Sequence, residues 1–484
     1  MKKFSLEHNA RAQAIYGSFW TFFGFGGSQV IRLGGNLVLA RLLFPEAFGL
    51  MALVNVFMQG LQMFSDLGIG PAVIQNPRGE EPEFRHVAWT MQIIRGAALW
   101  LISCLLAWPV ARFYSGGHPD AMMLFQILPV IGFTALLNGF TSTSLFVLNR
   151  RMKIGTVTLL ELLPQIVSMV VMILWAVLIE RSVWALVAGG VAQSATRVFL
   201  SHLLEPGYRD RIAWNRETAA ELVRFGGWIF ASTVVSFLVI SLDRMVLGRL
   251  LSLAELGIYS IAMTFARLGM QITTRLSNIV LFPLLTKRQH QPERLMELCL
   301  RGRHLVLLVG GAVCVAFAML APLFFEFLYD ERYHAAGPLS RWLSIYVWGW
   351  IMVATLDRVP LAMGRTRILF QTNLLNVCGM GLVIPGYLLF GLPGFILGLA
   401  GAQGIALLYI IRHLPLDRLK ALRQSLLLTL FFGGYGVLGV LLLLKLSASS
   451  TMLRLCASGA LAFFPLMGGG LFVLRELKRK KAGS

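Results

Sequence analysis

Arg32, Arg95, Arg197, Arg244, Arg267, Arg275 and Arg358 all stand inside stretches of otherwise apolar sequence, as do the acids Asp66, Glu161, Asp243 and Asp357. A guanidinium presents a planar fork of donors that meets phosphate or carboxylate oxygens two at a time. A surplus of such groups in a low-dielectric, water-filled cavity attracts an anion. An acid in the same setting is a candidate for binding a proton or Na+. The chemistry these residue types allow is the holding of an anionic group within a membrane, with Asp66, Glu161 and Asp243 as the ion-coupling candidates and no cofactor or metal needed.

Helical spacing sorts these residues onto faces. Asn55, Gln59, Gln62 and Asp66 follow i, i+4, i+7 and i+11, a stripe within about 60° at 100° per residue. Arg267, Gln271, Thr274 and Asn278 repeat that spacing, with Arg275 at the flank. Shorter stripes join Gln29, Arg32 and Asn36, then Gln92 and Arg95, then Glu161, Gln165 and Ser168, then Gln193 and Arg197. A plainer reading stands beside each stripe: interhelical hydrogen bonds for the amides, and ion pairs for the arginines. Those pairs would set Arg95 and Arg197 against Glu161 or Asp66, Arg244 against Asp243, and Arg358 against Asp357. Facing lipid, each mid-membrane arginine costs roughly 2.5–3.5 kcal/mol, so these side chains must face one another or water. By depth, Arg95, Arg197 and Arg275 fall in the inner half, and Arg32 and Arg267 nearer the middle. A phosphate-bearing head group entering from the cytoplasm would meet them in that order.

The elements that carry the stripes must be membrane helices. The chain of 484 residues is 57% hydrophobic and 14% charged, too apolar and too long for one soluble core. Apolar runs long enough to cross ~30 Å of hydrocarbon recur throughout. We read an all-α polytopic membrane protein with about fourteen spans, at 15–40, 47–74, 86–112, 121–148, 155–180, 182–204, 224–248, 253–285, 304–328, 338–363, 368–391, 393–411, 425–445 and 452–474. The first run has no small-residue cleavage site close behind it, as expected of a span and not of a removed leader. The net charge of +20 is concentrated in segments expected on the inside, such as Arg150, Arg151 and Lys153, or Lys287, Arg288, Arg294, Arg301 and Arg303. That asymmetry is the positive-inside rule. It places both termini in the cytoplasm, accounts for the basic composition without nucleic acid, and leaves contacts to anionic lipid head groups as a secondary role. The cysteines Cys104, Cys299, Cys314, Cys378 and Cys456 show no zinc-like spacing and are expected to be buried, unbridged thiols.

Leu37–Phe57 (LVLARLLFPEAFGLMALVNVF) reappears as Met245–Phe265 (MVLGRLLSLAELGIYSIAMTF), with Arg41/Arg249 and Gly49/Gly257 identical. The same offset lays Gln59 on Arg267 and Asp66 on Thr274. An internal repeat in a membrane protein marks a transporter with its site between the halves. Six spans per half make the halves parallel. The expected organisation is an N-lobe at 1–204, a cytoplasmic loop at 205–223, a C-lobe at 224–413, and two extra spans with a basic tail at 414–484. The second part of the loop has the pattern of a short amphipathic helix on the inner surface, capped by Asn215. No HExxH, Walker loop, nucleophile elbow or outside carboxylate pair is present, so no enzymatic activity is expected.

The block LARLLFPEAFGLMALVNVFMQGLQMFSDLGIGPAVIQ (39–75) resembles the signature of the bacterial polysaccharide transporter family, the Wzx-type oligosaccharide flippases of the colanic-acid-exporter branch. LDRMVLGRLLSLAELGIYSIA (242–262) and LAMGRTRILFQTNLLNV (361–377) are similar to other blocks of the same family. The resemblance covers residues 10–475. It implies the fold of the multidrug/oligosaccharidyl-lipid/polysaccharide exporter superfamily, two six-helix lobes around a central cavity, in the bacterial inner membrane. It implies a polyprenyl-pyrophosphate-linked oligosaccharide as cargo, flipped by alternating access for surface polysaccharide synthesis, with membrane lipids, a polymerase and export machinery as partners. Relatives that flip lipid II carry arginines on the first and eighth spans. The head-group role therefore passes to Arg32, Arg267 and Arg275, with Arg95, Arg197, Gln59 and Gln271 as further contacts. A multidrug or cation exporter of the same superfamily is the alternative and would present an acid-dominated cavity. A membrane polymerase or ligase would need a catalytic outside loop.

Overall fold

The computed structural model describes residues 2–65, 68–116, 119–203, 208–227, 230–278, 285–286, 288, 291–445, 457–462 and 465; side chains are described from residue 19 onward, except 224–232 and 276. Every regular element among them is helical. The chain divides into two compact units, Met1–Gly257 and Ile258–Ser484.

Unit 1 contains α1 (Lys2–Leu42), α2 (Pro45–Phe64), α3 (Ile69–Gln75), α4 (Pro82–Ser115), α5 (Leu124–Gly139), α6 (Ser144–Arg150), α7 (Ile154–Leu178), α8 (Val183–His202), α9 (Arg216–Gly227) and α10 (Phe230–Leu250). The division falls inside α11 (Leu253–Leu276). Unit 2 continues with α12 (Pro292–Leu328), α13 (Ala336–Leu356), α14 (Arg358–Ala362), α15 (Thr366–Gly379), α16 (Val383–His413) and α17 (Arg418–Lys445). α16 is interrupted at Gly391, whose φ of +62° is left-handed.

By length and hydropathy, the described residues hold 8 helices fit to cross a membrane, with Thr366–His413 taken as one. The expectation of fourteen spans is not met on that measure. α1, α10 and α11, which carry Arg32, Asp243-Arg244 and Arg267-Arg275, are long enough but fall outside the eight. Their polar residues lower the mean hydropathy of the very helices expected to line a cavity. The outer surface is that of a lipid-solvated protein: Leu105 (76% exposed), Leu178 (74%), Leu388 (78%) and Leu430 (72%) face away from protein. Span 452–474 lies largely outside the described residues.

Three expected spans are broken. Within 47–74, α2 stops at Phe64 and α3 starts after Gly68, whose φ is +62°. Within 121–148, α5 stops at Gly139 and α6 starts at Ser144. The second break recurs in unit 2, where Asp357 separates α13 from α14. Both short helices end on a left-handed residue, Met152 (φ 57°) and Gly364 (φ 69°). Both close with the same six-residue bond, Lys153 N–H to Leu148 O (2.9 Å) and Arg365 N–H to Pro360 O (2.8 Å). That bond satisfies carbonyls that a helix end otherwise leaves orphaned.

The repeat residues Gly49 and Gly257 meet within unit 1. A Cβ on Gly49 would collide with the Leu253 carbonyl oxygen, and one on Gly257 with the Pro45 carbonyl oxygen. The two copies of the signature thus cross backbone to backbone, and only glycine permits that approach.

The amphipathic segment forms as α9. Asn215 caps it, its Oδ1 accepting from the backbone N–H of Glu217 (2.9 Å) and Thr218 (3.3 Å). Its apolar face does not lie on lipid. Ala219 and Leu222 are buried in a cluster with Ile69, Val73, Phe84, Val87 and Met91 from α3 and α4. Among the described cysteines, Cys299 and Cys314 are buried and Cys104 half-buried, all unbridged as expected; Cys378 is exposed on α15, against expectation. Cys456 lies outside the described residues.

Candidate functional site

Within unit 1, α4 and α5 cross closely because each offers a glycine to the other's backbone. A Cβ on Gly96 would sit 2.6 Å from Ala135 O, and one on Gly139 would sit 2.8 Å from Gln92 O. Beside that crossing is a partly open cavity of about 240 Å³, lined by Gln62, Gln92, Arg95, Leu99, Asn138 and Arg197. The sequence assigned Arg95 and Arg197 to one depth, and the structure brings them into one cavity with three amides.

Their roles differ. Arg95 Nη2 donates to Gln62 O (2.8 Å) and Nε to Ser65 Oγ (3.0 Å), at the C-terminus of α2. There the last carbonyls lack helical partners and the helix dipole favours a cation. Glu161, one of the two expected partners, is exposed on α7 and makes no ion pair among the described residues; Asp66, the other, lies outside them. Arg197 is exposed at the cavity wall and has no hydrogen bond or ion pair among the described residues. Asn138 Nδ2 donates to Ser194 Oγ (3.4 Å), tying α5 to the turn of α8 that precedes Arg197. Gln92 Nε2 is buried without a hydrogen-bond partner.

The other expected residues occupy separate places. Arg32 is exposed on α1 and donates to Gln29 Oε1, one turn earlier. The residue before Gln29, Ser28, donates from Oγ to Gln165 Oε1 (2.9 Å), joining α1 to α7. Gln59 is half-buried on α2. Asp243 is buried on α10, 3.9 Å from Arg244 Nε, the local pair the sequence offered as its plainer reading. Arg267, Gln271 and Arg275 lie half-buried on the part of α11 that belongs to unit 2. Asp66 lies outside the described residues, and no metal-binding cluster occurs among those described.

Sequence reading missed two buried arginines. Arg85 on α4 donates from Nη2 to Ser144 Oγ (2.8 Å) and from Nε to Thr143 Oγ1 (3.3 Å). Its Cζ lies 3.3 Å from the centroid of the Tyr208 ring. Thr143 Oγ1 in turn donates to Asp210 Oδ1 (2.7 Å). Arg303 on α12 donates from Nε to Thr355 Oγ1 (3.1 Å), from Nη1 to Gln424 Oε1 (2.8 Å) and from Nη2 to Ser425 Oγ (2.9 Å). The available signal was the repeated pair Arg85-His86 and Arg303-His304, which position near a span end disguised as topology charge.

Comparison with known proteins decides the family. Residues 38–338 match a family described as "Polysaccharide biosynthesis protein". The chain belongs to this family. Similar curated proteins include the lipopolysaccharide biosynthesis protein WzxC of Escherichia coli, 22% identical over 82% of this chain and 78% of that protein. The succinoglycan biosynthesis transport protein ExoT of Rhizobium meliloti is 27% identical over 63% of this chain and 58% of its own length. The amylovoran biosynthesis protein AmsL of Erwinia amylovora is 22% identical over 56% of this chain and 69% of its own length. Among solved structures, the inward closed form of the lipid II flippase MurJ superposes with a TM-score of 0.71 at 15% identity, covering 96% of this chain and 99% of that one. An inward-facing MATE family multidrug transporter gives 0.63 at 14% identity, covering 83% of this chain and 95% of that one. The fold is that of these polytopic membrane transporters.

Proposed function

We propose that this family member is a flippase. It moves a polyprenyl-pyrophosphate-linked oligosaccharide across the bacterial inner membrane by alternating access, for surface polysaccharide synthesis. The observation that carries the reading is the arginine- and amide-lined cavity in unit 1, in a chain whose relatives are named for exopolysaccharide and lipopolysaccharide biosynthesis and transport. A lipid pyrophosphate is the anion that such machinery must pass through the bilayer. Arg32, Arg267 and Arg275, with Gln59 and Gln271, hold it in this reading, and Asp66, Glu161 and Asp243 are the groups open to coupling by H+ or Na+. Both termini are cytoplasmic, and the polymerase and export machinery take over on the far side. The multidrug-exporter reading is disfavoured because that cavity's lining carries two arginines and no acid.

The test is deletion of the gene followed by chemical identification of the lipid-linked species that accumulates. Repeat units trapped on the cytoplasmic leaflet, relieved by the wild-type protein and not by R32A or R267A present at normal abundance, are the expected result. A deletion strain with no trapped intermediate and normal polymer would end the proposal.

A further inference from the structure

The segment that joins the two halves of the repeat crosses the inner end of α4, and α4 itself shows how deep that crossing lies. Trp89 and Trp108 stand on this helix with Arg95 as the one charged residue between them. At a rise of about 1.5 Å per residue they are roughly 29 Å apart along the axis, the thickness of the hydrocarbon layer. Tryptophans favour both edges of that layer. Arg112, whose Cζ lies 5.4 Å from the Trp108 ring centroid, marks the outer edge, and Trp89 the inner one. The joining segment is pinned to α4 at the inner edge. Arg211 N–H donates to His86 Nδ1 (3.1 Å), Ala213 N–H to Thr90 Oγ1 (3.0 Å), and Asn215 Nδ2 to Glu83 Oε1 (2.8 Å). The chain thus descends to the level of Thr90 and climbs back, with Ala213 at its deepest point. Ile212 and Trp214, on either side of Ala213, are 77% and 62% exposed. Arg209, Arg211 and Arg216 are exposed too, and their side chains have no hydrogen bond or ion pair among the described residues. Asp210, the one acid between Tyr208 and Arg216, is turned inward onto Thr143, its side chain 1% exposed.

We infer that the segment 209–216 is a binding site for anionic phospholipid of the cytoplasmic leaflet. Ile212 and Trp214 enter the boundary between head groups and acyl chains, and Arg209, Arg211 and Arg216 take the phosphates. An apolar pair at the membrane edge, flanked by unpaired guanidiniums and with the acid withdrawn, is complementary to an anionic head group above an acyl chain. Arginine suits the place because its fork meets two phosphate oxygens while its stem lies along apolar surface. The site is separate from α9, whose apolar residues are buried against α3 and α4. Its assignment to the cytoplasmic leaflet rests on the cytoplasmic termini of the flippase reading; the lipid contact itself does not.

The test uses the purified full-length protein. In nanodiscs containing phosphatidylglycerol, the difference in tryptophan emission between wild type and W214F isolates Trp214 from the other tryptophans. Phospholipid brominated near the head-group end of its acyl chains should quench that emission at least about twofold more than phospholipid brominated near the methyl end, as an interfacial side chain requires. Phosphatidylglycerol is then titrated in detergent and read by native mass spectrometry. R209Q/R211Q/R216Q should bind it about ten- to a hundredfold more weakly, since each arginine near an anionic surface is worth roughly fivefold. Melting temperatures without added lipid report folding; if the triple variant does not fold, R211Q, expected to lose about fivefold, takes its place. Quenching of Trp214 by aqueous acrylamide and by neither brominated lipid overturns the inference and leaves this face to a cytoplasmic protein. Wild-type affinity in the arginine variants overturns it as well, as does phosphatidylethanolamine binding as tightly as phosphatidylglycerol. None of these results depends on whether intermediates accumulate in the deletion strain, so this site and the flippase reading fail separately.

Discussion

Arg85 in unit 1 and Arg303 in unit 2 begin the same short string, arginine, histidine and an aliphatic residue, in the N-terminal part of a long helix. Both are buried, at 3% and 0% exposure. Each reaches a hydroxyl beside the break that follows the next long helix: Thr143 and Ser144 at the start of α6, Thr355 before α14. What covers them differs. Arg85 lies under the segment joining the two halves of the repeat, against the Tyr208 ring, with the buried Asp210 one hydroxyl away. Arg303 lies under α17, and its recorded acceptors are Thr355, Gln424, Ser425 and the Ala421 carbonyl (3.5 Å). One position in the repeat has thus become half of a charge network in the first unit and a cation solvated by neutral acceptors in the second.

The largest effect should come from breaking the network that contains an acid. R85A leaves Asp210 buried, with His202 Nδ1 at 4.0 Å. Removing one partner of a buried charge pair costs about 3–5 kcal/mol. The variant should lose that much stability, read as denaturant unfolding of the purified protein, and D210N in the same chain should restore at least about 1 kcal/mol. A double variant no more stable than R85A would show that Asp210 is not what distinguishes this node.

The second node should yield less. R303M removes the buried charge together with its need for acceptors. It leaves the Gln424 amide and two hydroxyls to find other partners, at about 1.5–3 kcal/mol in total. Because Gln424 Nε2 also bonds Leu300 O (3.0 Å), the loss should appear first as looser docking of α17. Limited proteolysis at the connection around Asp417 should then run faster in R303M than in R85A. A cost equal to that of R85A would mean that the acid makes no difference and that cover alone sets the energy.

Neither node was legible in the sequence, although much around them was. The repeat Leu37–Phe57 and Met245–Phe265 and the Asn215 cap follow from spacing and residue type alone and appear in the structure, and Arg95 and Arg197, read from the sequence as neighbours in depth, line one cavity. The breaks after Gly139 and Leu356 did not stand out, because apolar composition continues across them and hydropathy does not register a turn made by Thr141, Ser142 and Thr143. Arg85 and Arg303 bond to residues 52 to 122 positions away, which no local pattern encodes. A charge near a span end also has a ready explanation in topology, and that explanation conceals a structural role. In the cavity, the sequence supplied the arginines but not the division of labour, which depends on where α2 ends.

The smallest effect concerns surface charge, in one tertiary and one local ion pair. Glu80 accepts from Arg151 Nη2 (2.6 Å) and has Arg150 Nε at 3.6 Å, joining the turn after α3 to the end of α6. The Arg151 hydrogen bond holds its carboxyl below the usual range. In unit 2, Asp330 is pushed down to about 2, chiefly by the side-chain hydrogen bond from Arg332, two residues away. A carboxylate with a depressed folded pKa stabilises the fold above its unfolded value and loses that contribution as pH falls through the folded value. For Glu80 the loss therefore begins below about pH 4.3. Both pairs are largely solvent-screened, so the Glu80 contribution should be only a few tenths of a kcal/mol and should shrink further with added salt. The Asp330–Arg332 contact spans two residues and bridges no separate elements. Between pH 5 and pH 3, E80Q should flatten the acid dependence of unfolding slightly, and so should D330N, because in both cases it is the unfolded chain that takes up the proton first. A wild-type acid dependence in E80Q would mean that the Glu80 bridge contributes nothing as a tertiary contact.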